Sequence, residues 1–325
     1  MIINERNIKM WSTIGQRATF GVAALELAKE LENLMVLTCD VSTSAGLDRY
    51  RKTYPNKYLD IGIAEQNMIG IAAGLASENY DVVTTTFAPF QTMRCCEQIK
   101  VNVGYMKKKI SMVGIASGLV LGNLGYTHCC IEDIGVLRSI PGMTILSPAD
   151  CLEAVKAIEY SIKSKQSTYI RLTGSSNAPI IYNQDYDFKV GKSVILNEGE
   201  DVTIFCTGAI VSNCLKAAKI LESKSISCKV INMHTIKPID TQAIEESLGS
   251  KIIVSVEEHN IIGGLGESIS GLLVKNNLVP MEFVGVEDSF GESGTPSELM
   301  KKYGLSSQNI YKKCKKAISR KQLGV

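Results

Sequence analysis

The sequence has no long hydrophobic run, and it carries little net charge. No stretch of apolar residues reaches the roughly 18 that a membrane-spanning helix needs. Residues 1–6 lack the charged-then-apolar layout of a secretory signal. The formal net charge is only +2, and the basic residues are scattered, which gives no argument for nucleic-acid binding. We therefore expect a cytoplasmic protein with neither a membrane nor a nucleic acid as its partner.

Histidine is rare, and the cysteines do not form a metal-binding pattern. The chain has 3 histidines and 10 cysteines. Cysteines occur as adjacent pairs at 95–96 and 129–130, no Cys-x-x-Cys occurs, and no histidine stands at ligand spacing from them. This pattern predicts no metal site within the chain and favours reduced thiols that serve as small hydrophobic side chains.

The order of predicted elements indicates an α/β fold. At 325 residues the chain is long enough for two domains. Helical and strand-like segments alternate up to about residue 175, and the alternation starts again after a segment that contains Pro179 and has no helical period. Such alternation is typical of βαβ units. We predict two domains, 1–180 and 191–325, each a mostly parallel sheet flanked by helices, with a linker over 181–190.

Local patterns place the individual elements. Hydrophobic spacing predicts helices over 16–33, 66–77, 91–103 and 151–163. Short β-branched or apolar runs predict strands over 34–39, 82–87, 110–115, 202–206 and 281–286.

Glu65 is the most informative single residue, because it is a carboxylate within the largely apolar run 61–68. Burying a carboxylate costs several kcal/mol unless a partner hydrogen-bonds it. Phe87 and Phe90 follow 22 and 25 residues later and provide a flat apolar wall. A glutamate that faces a ring nitrogen beside such a wall is suited to binding an aminopyrimidine. The alternative is an acid placed at a helix N-terminus by the helix dipole.

Several further motifs follow in a fixed order. They are Thr127-His128, Arg138-Ser139-Ile140-Pro141-Gly142-Met143, Ser147-Pro148-Ala149-Asp150, Tyr169-Ile170-Arg171-Leu172, His234 to Asp240, and Glu257-Glu258-His259-Asn260 before Gly263-Gly264-Leu265-Gly266. With the Glu65 run, they resemble the C-terminal half of transketolase-type thiamine diphosphate enzymes over nearly the whole chain. The resemblance implies a pyrimidine-binding domain followed by a transketolase C-terminal domain.

The resemblance assigns roles to several residues. Glu65 is the family's acid that hydrogen-bonds N1′ of the aminopyrimidine, and His128 is its catalytic histidine. Phe87, Phe90 and Met93 take the positions that line the pyrimidine, and Met93 stands where a transketolase commonly has a tyrosine. His234 and His259 lie in the second domain, where we expect structural or interfacial roles.

This sequence keeps only some of the residues with which the family contacts its substrates. Arg17, Ser44 and Arg171 match positions that contact a substrate phosphate in the family. Leu124 stands where the family usually has an aspartate for a donor hydroxyl, and Ala116 falls near a second substrate histidine. The resemblance therefore implies a sugar or sugar-phosphate substrate and leaves the donor and acceptor open.

The sequence also lacks the Gly-Asp-Gly segment with which this family binds the diphosphate and Mg²⁺. This absence implies that a separate N-terminal subunit holds Mg²⁺ and the diphosphate, in a heterotetramer with this chain. We interpret the chain as the C-terminal subunit of a split transketolase that transfers a two-carbon ketol unit. Open alternatives are the beta subunit of a 2-oxo acid dehydrogenase, a deoxyxylulose phosphate synthase-like carboligase, and a non-catalytic paralogue.

Overall fold

Two mostly parallel β-sheets organise the chain in a computed structural model that describes residues 1–173, 176–276 and 279–322. The strands are β1 (Leu34–Thr38), β2 (Tyr58–Asp60), β3 (Asp81–Phe87), β4 (Ile110–Ile115), β5 (Thr144–Leu146), β6 (Thr168–Arg171), β7 (Val194–Asn197), β8 (Val202–Thr207), β9 (Cys228–Asn232), β10 (Thr235–Lys237), β11 (Ile252–Asn260) and β12 (Met281–Val286). The first sheet has the order β10-β5-β6-β4-β3-β1-β2, and the second has the order β12-β11-β8-β9-β7. The predicted α/β architecture with two sheets is thus confirmed.

Helices flank both sheets. They are α1 (Glu5–Glu30), α2 (Asp48–Thr53), α3 (Glu65–Ser77), α4 (Ala88–Thr92), α5 (Cys96–Gln98), α6 (Asp133–Arg138), α7 (Cys151–Lys163), α8 (Val211–Glu222), α9 (Thr241–Glu245), α10 (Leu265–Asn276), α11 (Pro296–Lys302) and α12 (Ser307–Gln322). The helix predicted over 91–103 is instead divided into α4, α5 and a π-helical segment, Ile99–Tyr105. None of the described helices is long and apolar enough to cross a bilayer.

The central strands are buried on both faces, as parallel strands covered by helices usually are. Every residue of β4 and β8 is buried, and apart from Ser111 the two strands consist of apolar or β-branched residues. Parallel pairing places the carboxyl ends of β1 to β4 at one edge of the first sheet. Ligands in open α/β sheets bind at that edge, and the predicted site residues follow β2, β3 and β4.

One strand crosses between the two halves of the chain. β10 belongs to the C-terminal part by sequence, but it pairs antiparallel with β5 of the first sheet, with Lys237 opposite Ile145. The segment between the sheets also packs closely, because Asp150 Oδ2 accepts hydrogen bonds from the backbone N–H groups of Ile181 and Tyr182, each at 2.9 Å. The two sheets therefore share contacts well beyond a single linker.

Candidate functional site

Glu65 opens α3 at the carboxyl edge of the first sheet. The chain leaves β2 at Asp60 and turns through Gly62, which has a φ of 71° and so suits glycine. Asp60 Oδ1 accepts the N–H of Gly62 at 3.0 Å and holds this turn. The Glu65 side chain is only 4% exposed. The fold thus places a nearly buried carboxylate at a helix N-terminus, where its charge is favoured.

Arg94, which the sequence analysis missed, is the partner of this carboxylate. Its Nη1 donates to Glu65 Oε1 at 2.6 Å, and its guanidinium lies 4.0 Å from the centroid of the Phe90 ring. Glu65 Oε2 has no hydrogen-bond partner among the described residues. Arg94 therefore fixes one carboxylate oxygen and leaves the other available. The signal was an arginine 4 residues after Phe90, which no motif that we used contains.

Phe87 and Phe90 lie together where β3 meets α4. Their ring centroids are 6.3 Å apart at 77°, an edge-to-face arrangement. Pro89 at the start of α4 helps to fix this turn, because its φ suits the first turn of a helix. Met93 follows on the same segment and is 40% exposed. One side of Phe90 carries Arg94, so an aromatic ligand would contact the remaining ring surface.

His128 reaches the same two rings from a different loop. Its ring centroid lies 5.4 Å from that of Phe90 and 6.2 Å from that of Phe87. The Thr127 hydroxyl lies 3.1 Å from His128 Nδ1 and orients the ring. The structure thus brings Glu65, Phe87, Phe90 and His128 into one cluster, although 63 residues separate the first from the last.

The loop that carries His128 is closed and fixed by the second half of the chain. Gly118 and Cys130 exchange two backbone hydrogen bonds of 2.8 Å, which close residues 118–130 into a single loop. Glu258 Oε1 accepts the N–H of Leu119 at 2.7 Å, and the Tyr126 and Phe290 rings pack with centroids 4.4 Å apart. The position of His128 therefore depends on contacts from the C-terminal domain.

Arg17 and Ser44 lie on two segments that touch. Helix α1 and the loop after β1 approach so closely that a Cβ on Gly21 would lie 1.9 Å from the oxygen of Gly46. Arg17 and Ser44 are both half-buried. Burial lowers the pKa of the Arg17 guanidinium, and no acidic side chain among the described residues pairs with it. A half-buried guanidinium without a carboxylate is suited to binding an anion.

Leu124 ends a short 3₁₀ turn on the His128 loop, 4 residues before the histidine. Its side chain is 57% exposed. Gly125, with a φ of 82°, then reverses the chain toward His128. Leu124 is therefore at the surface of the loop, available to a ligand or to another chain.

Arg171 occupies a different environment from the one that a phosphate contact requires. It is 3% exposed, and its Nε donates to Asp133 Oδ2 at 2.9 Å. Its Nη2 donates to the carbonyl oxygens of Cys130 and Glu258 at 3.1 and 2.8 Å. Burial opposes the charged form, while Asp133 and Glu258 raise the pKa of Arg171 above its usual value. These contacts join the two domains, and they do not support the predicted phosphate role.

His259 belongs to the same buried network. Its Nδ1 donates to the carbonyl oxygen of Asn260 at 2.6 Å, and its Nε2 accepts from the N–H of Gly135 at 3.3 Å. Burial lowers the pKa of His259 to about 4, so the ring is neutral. His234 is also buried and stacks on Phe188 with centroids 4.4 Å apart. Both rings have the contacts of structural residues.

The cluster fits one half of a thiamine diphosphate site. A carboxylate oxygen without a partner, two edge-to-face rings and an imidazole are suited to an aminopyrimidine, whose ring nitrogen needs an acid and whose faces need apolar contact. Among the described residues, no group of three or more His, Cys, Asp or Glu side chains could hold a metal ion.

Comparison with known proteins agrees with this geometry. The domain family "Transketolase, pyrimidine binding domain" matches residues 12–178, and "Transketolase, C-terminal domain" matches residues 191–310. A Methanocaldococcus jannaschii protein named as a putative transketolase C-terminal section is 37% identical over 92% of this chain and 95% of its own length.

A second relative is named for its substrate, and a solved structure has the same fold. The 6-deoxy-6-sulfo-D-fructose transketolase subunit SqwH of Clostridium sp. strain MSTE9 is 35% identical over 94% of this chain and 95% of its own length. A split-gene transketolase, solved as an inactive beta4 tetramer, superimposes with a TM-score of 0.85 at 32% identity and covers 94% of this chain and 98% of its own. From these matches and the site, the chain belongs to the transketolase family and corresponds to its C-terminal section.

Proposed function

We propose that this chain is the catalytic C-terminal subunit of a split, thiamine diphosphate-dependent transketolase that moves a two-carbon ketol unit between sugars. The observation that carries the proposal is the cluster of Glu65, Phe87, Phe90 and His128 at the carboxyl edge of the first sheet. Thiamine diphosphate, when bound, supplies the nucleophilic carbon that the protein itself lacks. The side chains of this subunit provide orientation and proton transfer.

Glu65 holds or moves a proton at the pyrimidine ring nitrogen through Oε2. Arg94 binds Oε1 at 2.6 Å and so fixes the carboxylate plane while Oε2 stays outside this hydrogen bond. Phe87 and the face of Phe90 that Arg94 does not cover exclude water from the pyrimidine ring and fix its orientation. Because Glu65 is only 4% exposed, little water reaches this contact.

His128 and Arg17 act on the substrate. The His128 imidazole, oriented by Thr127 and held beside Phe90, is placed to transfer a proton to or from the reacting oxygen of the sugar. Arg17, together with the Ser44 hydroxyl, binds the anionic end of the substrate. The relative named for 6-deoxy-6-sulfo-D-fructose supports a sugar with an anionic terminal group, because a sulfonate and a phosphate need the same guanidinium.

A second subunit completes the site. Large apolar side chains are exposed on the segments that carry the site residues, namely Ile63 at 77%, Leu124 at 57%, Tyr126 at 41% and Met93 at 40%. Phe290, which packs on Tyr126, is 69% exposed. Exposed apolar surface of this kind marks a protein–protein interface. We propose that a diphosphate- and Mg²⁺-binding chain covers it in a heterotetramer. The split-gene transketolase of the same fold was inactive as a beta4 tetramer, which supports this dependence.

The experiment mixes the purified chain with a diphosphate-binding chain from the same genome. Ketol transfer from xylulose 5-phosphate to ribose 5-phosphate should appear only in the mixture that contains thiamine diphosphate and Mg²⁺. The chain alone should show no turnover. Transfer by the lone chain would contradict the half-site, and decarboxylation of a 2-oxo acid by the mixture would favour the dehydrogenase or carboligase alternatives.

The same assay can test the position of Leu124. A leucine cannot accept a hydrogen bond from a substrate hydroxyl, and an unpaired buried hydroxyl costs about 1–3 kcal/mol. Leu124→Asp should therefore raise kcat/KM for xylulose 5-phosphate by about 5- to 150-fold, the equivalent of that energy. Asn123→Asp, which adds the same charge at the preceding exposed position, is the matched control. No gain from Leu124→Asp would place Leu124 outside the substrate pocket.

A further inference from the structure

A cavity lies at the opposite end of the first sheet from the candidate active site. It has a volume of about 480 Å³, within the range of about 300–1,000 Å³ that small-molecule sites occupy. Its floor is formed where β5 and β6 begin, at Thr144 and Ser167. Because these strands run parallel to β4 and β3, the cavity and the Glu65 cluster are on opposite edges of the sheet.

Three lysines from distant parts of the sequence line this cavity: Lys107, Lys165 and Lys237. Lys107 follows the π-helical segment, and Lys165 lies between α7 and β6. Lys237 lies at the cavity because β10 runs antiparallel to β5, which puts the end of β10 beside the start of β5. The tertiary structure therefore concentrates positive charge that the sequence scatters.

No carboxylate offsets this charge, because none of the described residues that line the cavity is acidic. Neighbouring lysines outside the cavity do have acidic partners: Lys109 lies 3.6 Å from Asp81, and Lys163 lies 2.7 Å from Glu159. Lys107 and Lys165 have none among the described residues. Lys107 and Lys165 therefore differ from these neighbouring lysines, whose charges are offset by ion pairs.

Lys237 is the cavity lysine whose ammonium group is held in place by hydrogen bonds to the protein. It is half-buried, and its Nζ donates to the carbonyl oxygens of Arg138 and Ile140 at 2.8 and 2.5 Å. These two bonds fix the ammonium group and leave its third N–H available. Burial and then the positive charge of Arg138 lower the pKa of Lys237. An anion in the cavity would offset both effects.

The remaining lining suits a small molecule with a less polar body. Val103, Pro141, Met143 and Pro238 provide apolar contacts. The Gln166 side-chain oxygen accepts the Thr144 hydroxyl at 3.3 Å, which leaves the amide N–H groups of Gln166 available as donors. Ammonium and amide donors beside an apolar wall match a phosphate group attached to a small organic molecule.

We propose that this cavity binds the phosphate group of a small phosphorylated metabolite through Lys107, Lys165 and Lys237, at a site separate from the candidate active site. The proposal does not depend on the proposed function, because none of these residues takes part in it. Its test also needs no cofactor and no partner chain.

The probes are inorganic phosphate and glucose 6-phosphate, titrated into the full chain by calorimetry at constant ionic strength. The wild-type chain should bind both saturably, and glucose 6-phosphate should bind more tightly because its body contacts the apolar wall. Lys107→Ala/Lys165→Ala should raise Kd for both at least about tenfold, by loss of two charge-assisted contacts. Lys237 is left unchanged because its carbonyl contacts support the fold.

Two control variants make the result specific. Lys312→Ala/Lys316→Ala removes two exposed charges from α12 and should leave Kd unchanged. Arg17→Ala removes the other candidate anion contact and should leave binding at the cavity intact. The proposal is overturned if the wild-type chain shows no saturable binding, if Lys107→Ala/Lys165→Ala binds like the wild type, or if Arg17→Ala alone abolishes binding.

Discussion

Glu65→Gln should reduce turnover of the assembled enzyme by about 10³-fold or more, near the upper end of the roughly 10²–10⁴-fold contribution of a positioned proton-transfer group. Glutamine has the shape of glutamate but cannot release or take up a proton at the ring nitrogen. The side-chain oxygen of the introduced glutamine would still accept the hydrogen bond from Arg94, so the local fold should be kept. The measurement is kcat for ketol transfer in the presence of the partner chain, with thermal unfolding measured in parallel.

Glu78→Gln is the matched control for this variant. Glu78 is exposed at the C-terminal end of the same helix, so its substitution makes the same loss of charge without touching the site. Its activity should equal that of the wild type. Wild-type activity in Glu65→Gln would remove the cofactor assignment, and a loss of activity that tracks a lower melting temperature would point to a structural acid.

Arg171→Leu should destabilise the chain by about 3–5 kcal/mol, the cost of leaving one member of a buried ion pair uncompensated. Asp133 is 0% exposed and would lose the guanidinium while keeping the Tyr169 hydroxyl, which donates to it at 2.7 Å. The carbonyl groups of Cys130 and Glu258 would lose their shared donor as well. The measurement is the free energy of unfolding from urea denaturation.

Two further variants serve as controls for the stability loss expected in Arg171→Leu. Arg51→Leu removes an exposed arginine that lies 3.2 Å from Asp48, and such surface pairs contribute about 0–1 kcal/mol. In Arg171→Leu/Asp133→Leu both charges are absent, so part of the stability should return. Unchanged stability in Arg171→Leu, with a raised KM for a phosphorylated donor in the assembled enzyme, would restore the phosphate role that the family resemblance implies.

Local patterns in the sequence determined most secondary structure. The predicted strand over 110–115 and helix over 151–163 have these bounds in the structure. Each of these elements has a clear local signal. β4 is a continuous buried run, and α7 is capped by Asp150, whose side chain accepts the N–H of Glu153. The prediction of a single helix over 91–103 was wrong, because helical spacing does not distinguish an α-helix from a π-helical segment. The motif around Glu65 also identified the family, since its spacing to Phe87 and Phe90 is itself a sequence property.

The tertiary structure decided which charged side chains meet. Arg94 reaches Glu65, and Arg171 is bound by Asp133 rather than exposed to a ligand, although neither partner is close to its arginine in the sequence. The antiparallel entry of β10 into the first sheet brings Lys237 to Lys107 and Lys165. Sequence periodicity reports burial along one element, whereas a charge's partner depends on loops and strand order that join distant segments. For that reason the sequence determined the fold and the family, and only the structure separated ligand-facing charges from structural ones.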